Sequence, residues 1–271
     1  WTSPVLILTL AVAATSLIAA VVIERRQADP LIDLGQLVSR RLGVPLASFL
    51  FSIIALFAVG FLLPFYLEEL RGLTPLDAGL LLTPYSLGLA VASPISGRLA
   101  DRGHARWLGS LGLGLAAVGL GLLAQVGVGT PLSEIAFWLA LSGIGQGLFL
   151  SPNTSAVMSA LPADQSGIAS GLIATTRVVG QALSVAIAGA IFIGLGGAAA
   201  GATLVAIGAS GSAQDAALQG TFVTAMHAAL LVSGFLAAAG AVLGLAKARP
   251  RPVGSARSEP AGHSQELTKV A

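Results

Sequence analysis

The residue best placed to do chemistry in this chain is Arg177, which stands inside an otherwise apolar run. It lies about ten residues into that run, and in a membrane-crossing helix this is about 15 Å deep. An arginine at that depth costs about 2.5–3.5 kcal/mol, so it needs a polar partner or a wet cavity. Two interpretations stay open. Arg177 contacts a bound solute or a gating ion pair, or it is structural and binds helix carbonyls or reaches the inner face.

Other polar residues stand in apolar surroundings near Arg177 or in earlier runs. Thr176 precedes the arginine, Gln181 follows it by one helical turn, Gln146 is near the middle of the preceding run, and Tyr85 is in an earlier one. We predict that these four residues and Arg177 line a substrate cavity. For Gln146 and Gln181 the alternative is a hydrogen bond between helices with no role in binding a ligand.

A short basic segment, PISGRLADRGHAR, separates two of the apolar runs. Its motif residues are Gly97, Asp101, Arg102 and Arg106. Such a density of charge is too costly for the hydrocarbon of a bilayer. The two flanking runs are therefore predicted to form a helical hairpin with this loop in water.

The composition explains why these residues need a membrane around them. The chain is 55% hydrophobic and only 10% charged, with a mean hydropathy of +0.88, whereas a soluble domain carries about 25% charged residues. The apolar runs are continuous rather than alternating, which predicts helices and an all-α membrane protein. We predict seven transmembrane helices, roughly at 5–23, 43–66, 75–97, 106–126, 133–158, 166–195 and 220–246.

The distribution of basic residues predicts the orientation. Twelve of the 14 Lys and Arg residues lie in the connector 24–42, in the loop 98–106 or after residue 246, and the opposite loops contain only Arg71. By the positive-inside rule the basic side is cytoplasmic. We expect a multi-pass protein of the plasma (inner) membrane with residue 1 outside and residue 271 inside. Segment 196–219 is predicted to be a flexible outer loop, and 248–271 a disordered cytoplasmic tail.

Several residues within the apolar runs are expected to pack helices together. Gly143 and Gly147, like the pairs 167/171 and 240/244, are four residues apart, a spacing that lets helix backbones approach closely. A stripe formed by phenylalanines 57, 61 and 65 lines an apolar pocket or faces lipid and packing partners. His227 is interpreted as a hydrogen-bonded structural residue, with a proton relay as the alternative.

Some function classes find no support in the sequence. The chain has no cysteine, which excludes a disulfide framework, a thiolate metal site and a cysteine nucleophile. Its net charge of +2 is too small to indicate nucleic-acid binding. The predicted spans contain no pair of aspartates, so the sequence does not indicate an intramembrane enzyme. We also predict no metal and no cofactor. No acidic residue lies deep in a predicted span, although a proton-coupled carrier usually needs an embedded carboxylate.

The basic loop and the later spans resemble the major facilitator superfamily. GRLADRGHAR matches the short cytoplasmic loop signature of that superfamily, except that His104 stands where a glycine is usual. Residues 143–189 resemble its consecutive late spans, most distinctively in the TTR-x-x-G portion, Thr175 to Gly180. ERRQADPLIDLGQLVSRR resembles the connector that follows the extra central helix of fourteen-span drug:proton antiporters.

The resemblance implies an organisation and a function. Residues 1–42 would be an extra central helix with its connector, and 43–247 the six-helix C-terminal bundle, made of two inverted three-helix repeats. The second, third, fifth and sixth predicted spans would line the cavity. The implied activity is secondary active export of drugs or other hydrophobic or cationic compounds by alternating access.

The implied partners are the lipid bilayer, a small-molecule substrate, and protons handled by an N-terminal half. Because the sequence starts at Trp1 without a methionine, we expect that half to be missing and the chain not to transport alone. The alternatives are a carrier for another small solute and a seven-helix receptor or sensor.

Overall fold

The computed structural model describes residues 39–100, 105–207 and 213–245, together with scattered positions between Leu8 and Leu37. The predicted first span and the connector 24–42 lie largely outside the described residues, and the predicted tail 248–271 lies wholly outside them. Of the loop motif, Asp101 and Arg102 are also outside them.

Helices account for nearly all of the described chain, and no strand occurs in these ranges. A π-helical turn, Tyr66–Leu70, continues the first helix, and a 3-10 turn, Ala163–Gln165, precedes the fifth. The helices are α1 Gly43–Phe65, α2 Pro75–Leu99, α3 Ala105–Leu123, α4 Leu132–Met158, α5 Ser166–Gly194, α6 Gly197–Ile207 and α7 Ala213–Leu245.

Five of these helical segments are long and apolar enough to cross a membrane: Gly43–Leu70, Pro75–Leu99, Leu132–Met158, Ala163–Gly194 and Gln214–Leu245. Helix α3 is apolar as well but shorter, at 19 residues. The prediction of an all-α membrane protein is confirmed, and six of the predicted spans fall on α1 to α5 and α7. Their limits agree within a few residues, except that α7 begins at Ala213 rather than at 220.

The prediction of a flexible loop over 196–219 is wrong for most of that segment. Helix α6 occupies Gly197–Ile207, and α7 includes Asp215, whose side chain is buried. Alanine, which dominates this segment, is the best helix former, so low sequence complexity did not mean irregular structure. Gly196, with φ of 81°, turns the chain between α5 and α6, as glycine does after many helices.

Glycines of α4 allow two neighbouring helices to approach it closely. A Cβ added to Gly147 would lie 2.7 Å from the carbonyl oxygen of Leu89 in α2, and Gly143 similarly contacts the backbone of Tyr85. Gly145 faces α3 instead, where an added Cβ would lie 2.6 Å from the carbonyl oxygen of Gly112. The packing interpretation of Gly143 and Gly147 is confirmed, whereas the contact of Gly145 with α3 was not predicted. Glycines 240 and 244 also pack closely, but mainly against side chains, and nothing lies within 4 Å of a Cβ added at 167 or 171.

The start of α2 shows how the sequence sets a helix boundary. The Thr74 hydroxyl oxygen accepts a hydrogen bond from the backbone nitrogen of Asp77 at 3.2 Å, and the hydroxyl donates to Asp77 Oδ2 at 2.7 Å. Pro75 stands in the first turn, where its missing N–H costs nothing. The predicted start at residue 75 is therefore confirmed, and its cause is an N-cap.

A network of hydrogen bonds at one end of the bundle connects neighbouring helices to the loop between α3 and α4. Arg71 donates to the Tyr66 hydroxyl at 2.9 Å and to the Thr130 carbonyl at 2.7 Å, and Tyr66 donates to the Gly127 carbonyl at 2.8 Å. His227 Nε2 lies 2.7 Å from the Val126 carbonyl oxygen in hydrogen-bonding geometry. The hydrogen bond that the structural interpretation of His227 requires is therefore present, and the role of the residue stays a prediction.

The transmembrane helices differ in how much of their surface the chain itself covers. Within their most apolar 18-residue windows, 61% of α1, 50% of α4 and 44% of α7 is buried, against 17% of α2 and 28% of α5. Among these five described spans, α2 and α5 therefore have the largest uncovered faces.

Candidate functional site

A cavity of about 290 Å³ lies between α1, α2 and α4. Its walls are mainly aliphatic and aromatic, and its polar side chains are Tyr85, Ser86 and Gln146. Phe57, Gly60 and Ser86 belong to its lining and are exposed, so the cavity opens at the bundle surface. Among the described residues, no charged side chain lines it. An open apolar cavity with few polar groups is the usual form of a site for a small organic molecule.

Gln146 reaches this cavity from α4 and is held there by α1. Its side chain is only 4% exposed, and the Ser52 hydroxyl donates a hydrogen bond to Gln146 Oε1 at 2.8 Å. Gln146 therefore lines a cavity and also bonds a neighbouring helix, and its role in binding a substrate stays a prediction. Ser52 was not predicted. The only sequence feature that could have indicated it is weak: Ser52 follows Ser48 by four residues, so the two serines share one face of an apolar helix.

The aromatic residues near the cavity divide between two roles. Tyr85 and Phe57 line it, while Phe61 and Phe65 pack edge to face with ring centroids 5.4 Å apart. The three phenylalanines therefore do not form one surface, because Phe57 lines the cavity and Phe61 packs against the hydrophobic core.

Three of the five predicted cavity residues lie on α5 and do not line this cavity. Arg177 is exposed, whereas Gln181 and Thr176 are partly buried. Arg177 precedes Ser184 by seven residues, which places both on one side of α5. At Ser184 that side packs on α1, since the Ser184 hydroxyl donates to the Ile54 carbonyl oxygen at 2.6 Å, whereas at Arg177 the same side is exposed. The structure thus brings Gln146 and Tyr85 together, and a cavity role for the three α5 residues stays a prediction.

The loop motif is described at its edges only. Gly97 lies in the last turns of α2, where an added Cβ would stand 3.2 Å from the Ser151 hydroxyl oxygen of α4. Arg106 belongs to α3, and its side chain is outside the described part of the structure. The role of the motif stays a prediction.

Further buried side chains join the helices without facing the cavity. Asn153 donates to the Pro45 carbonyl oxygen at 3.2 Å, and Ser96 donates to the Leu148 carbonyl oxygen at 2.7 Å. In the described ranges, no cluster of three metal-ligating His, Asp or Glu residues is found.

Comparison with known proteins identifies the family. The sequence profile of the Major Facilitator Superfamily matches residues 1–185 and also residues 45–269. The chain is 33% identical over 125 residues to the uncharacterized transporter YebQ of Escherichia coli, which covers 46% of this chain and 27% of YebQ. It is 32% identical over 191 residues to the multidrug resistance protein Stp of Mycobacterium tuberculosis, which covers 70% of this chain and 35% of Stp.

A third relative is a tetracycline resistance determinant of Streptomyces rimosus, 30% identical over 191 residues, 69% of this chain and 54% of that protein. The chain spans about a third or less of YebQ and Stp. With its helical membrane fold and a profile match that covers nearly its whole length, this chain belongs to the Major Facilitator Superfamily of membrane transporters.

Proposed function

We propose that this chain takes part in the proton-coupled export of drugs or other hydrophobic or cationic compounds by alternating access. The observation that carries the proposal is the cavity between α1, α2 and α4, with its open mouth and its apolar and aromatic walls. Such walls bind apolar compounds of varied shape, and the faces of Phe57 and Tyr85 also attract cations.

The relatives support export in preference to other directions of transport. Stp is named a multidrug resistance protein, and the Streptomyces rimosus protein a tetracycline resistance determinant. Removal of the compound from the cell is a direct route to resistance, and the proposal extends that activity to this chain.

Alternating access needs a second bundle that rocks against the first. The uncovered faces of α2 and α5 are the surfaces on which we propose that such a bundle packs. The carboxylate that couples transport to protons would belong to that second bundle. Within the described helices the acidic residues stand near helix ends, with Asp77 and Glu134 each in a first turn.

A substitution that fills the cavity tests the proposal. A Cβ added to Gly60 meets nothing within 4 Å, so Gly60→Leu occupies cavity space without a backbone clash. The matched control is Gly114→Leu on α3, where an added Cβ also meets nothing within 4 Å but which does not line this cavity. The protein is expressed from its complete gene in bacteria that lack their main efflux pumps. Accumulation of ethidium, a cation, and Nile red, a neutral dye, is then measured.

We expect the parent and Gly114→Leu to lower accumulation of at least one dye and a protonophore to restore it. Gly60→Leu should lose most of this effect at equal membrane levels. Export that is unchanged in Gly60→Leu would contradict the assignment of the cavity, and equal accumulation with and without the parent protein would contradict export.

A further inference from the structure

The side-chain amide of Gln146 has its oxygen occupied and its nitrogen open. Ser52 Oγ donates to Oε1 at 2.8 Å, so the acceptor end of the amide is directed toward α1. In the described part of the chain the amide nitrogen makes no hydrogen bond, and it is not fully buried. Since Gln146 lines the cavity and is only 4% exposed, the open side of this nitrogen is the side toward the cavity.

The environment of Ser52 keeps the amide in this orientation. Ser52 is fully buried, and its hydroxyl can both donate and accept. Among the described residues, however, the one acceptor that its proton reaches is the amide oxygen of Gln146. If the amide turned over, its N–H could donate to Ser52, but the hydroxyl proton would lose that acceptor, so this buried pair favours one orientation.

The cavity therefore has a defined polarity at one point of an apolar wall. The hydroxyl groups of Tyr85 and Ser86 each donate or accept, and so select neither kind of partner. The Gln146 nitrogen only donates, and among described residues no charged side chain lines the cavity to override it. A bound molecule that places an acceptor there satisfies the donor, whereas one without an acceptor leaves it unpaired.

We propose that Ser52 is a specificity-determining positioning residue. It holds the Gln146 amide with its N–H groups toward the substrate. The site therefore selects apolar aromatic compounds that carry a hydrogen-bond acceptor, such as an aryl ketone, over the same skeleton without one. The inference rests on the proposed function in that it takes this cavity as the substrate site.

Two ligands that differ in one carbonyl test this selectivity. Xanthone carries a ketone where xanthene carries a methylene group. Their dissociation constants are measured on protein purified from the complete gene in one detergent, from the ligand-induced rise in melting temperature. The variants are Gln146→Met, which keeps the chain length without the amide, and Ser52→Ala. The control is Ser142→Ala, a fully buried serine that bonds its own helix at Trp138 O.

The parent and Ser142→Ala should bind xanthone about threefold to tenfold more tightly than xanthene, as expected for one hydrogen bond. In Gln146→Met the two dissociation constants should be equal within error. In Ser52→Ala the preference should fall by at least about twofold, because the amide is free to turn. If Ser52 had only a structural role, Ser52→Ala would weaken the binding of both ligands equally and leave the ratio of their dissociation constants unchanged.

A parent protein without the preference would overturn the inference, as would a preference that survives in Gln146→Met or is unchanged in Ser52→Ala. If Gln146→Met does not fold, the ratio in Ser52→Ala decides. A Gln146-dependent preference in a protein that exports no dye would support this inference while contradicting the proposed function. Dye export by a protein that shows no preference for xanthone would support the proposed function and contradict this inference.

Discussion

At the scale of single residues, the structure separates polar groups that join helices from one that is exposed. Gln146, Ser184 and Asn153 each bond a residue of α1, either at a side chain or at a backbone carbonyl. Arg177 differs because its side chain is exposed although the residue lies within a membrane-crossing helix. The cost of an arginine in hydrocarbon is avoided if that side faces a wet cavity or a polar partner.

We therefore predict that Arg177→Ala lowers transport about tenfold at unchanged protein level in the membrane. That factor corresponds to the loss of one hydrogen bond made by a charged group. Dye efflux and membrane abundance are measured on the same cells. Arg41→Ala, an exposed arginine just before α1, is the control and should behave like the parent.

Arg177→Lys separates a point charge from a planar fork, because lysine keeps the charge and lacks the bidentate geometry of arginine. Recovery of transport in Arg177→Lys would show that charge is sufficient. Unchanged transport in Arg177→Ala would make the residue dispensable and contradict the prediction that Arg177 contacts a wet cavity or a polar partner needed for transport.

At the scale of helices, backbone contact holds α4 against its neighbours. Gly145 and Gly112 face each other between α4 and α3, and a Cβ on either would meet the backbone of the other helix. Such an approach brings many atoms into contact but leaves no room for a side chain.

We predict that Gly145→Ala lowers the melting temperature of the purified protein. Overpacking against backbone costs about 1–3 kcal/mol, which exceeds the gain of about 1 kcal/mol in helix propensity. Gly114→Ala is the control, because its Cβ meets nothing within 4 Å and only the propensity gain remains. A melting temperature that rises in Gly145→Ala as it does in Gly114→Ala would contradict the close α3–α4 contact.

The helices were largely predictable from the sequence, whereas the site was only partly so. Long apolar runs and the cap at Thr74 set the helix limits, because hydrocarbon thickness and backbone satisfaction act locally along the chain. Helix α6 was missed because glycine and alanine give little hydrophobic contrast. The Ser52–Gln146 bond joins residues 94 positions apart. Such a pairing depends on how helices rotate against each other, which no local pattern records.

At the scale of the whole molecule, the distribution of basic residues predicts which side of the membrane each loop lies on. We predict that the loop around residue 103 and the tail are cytoplasmic and that the loop between α3 and α4 is external. The chain contains no cysteine, so single substitutions Gly103→Cys and Gly129→Cys give unambiguous labels. In intact cells an impermeant maleimide should label position 129 and not 103. The opposite pattern would invert the topology.

We propose that the protein exports hydrophobic or cationic compounds with protons as the driving ion. This activity can be measured as flux in vesicles that contain only the protein purified from its complete gene. A pH gradient is imposed across the membrane, and the movement of ethidium is followed by fluorescence. We expect flux that requires the gradient, stops when a protonophore collapses it, and falls sharply in Gly60→Leu but not in Gly114→Leu. Flux that is absent, or that persists unchanged without the gradient, would contradict the proposal.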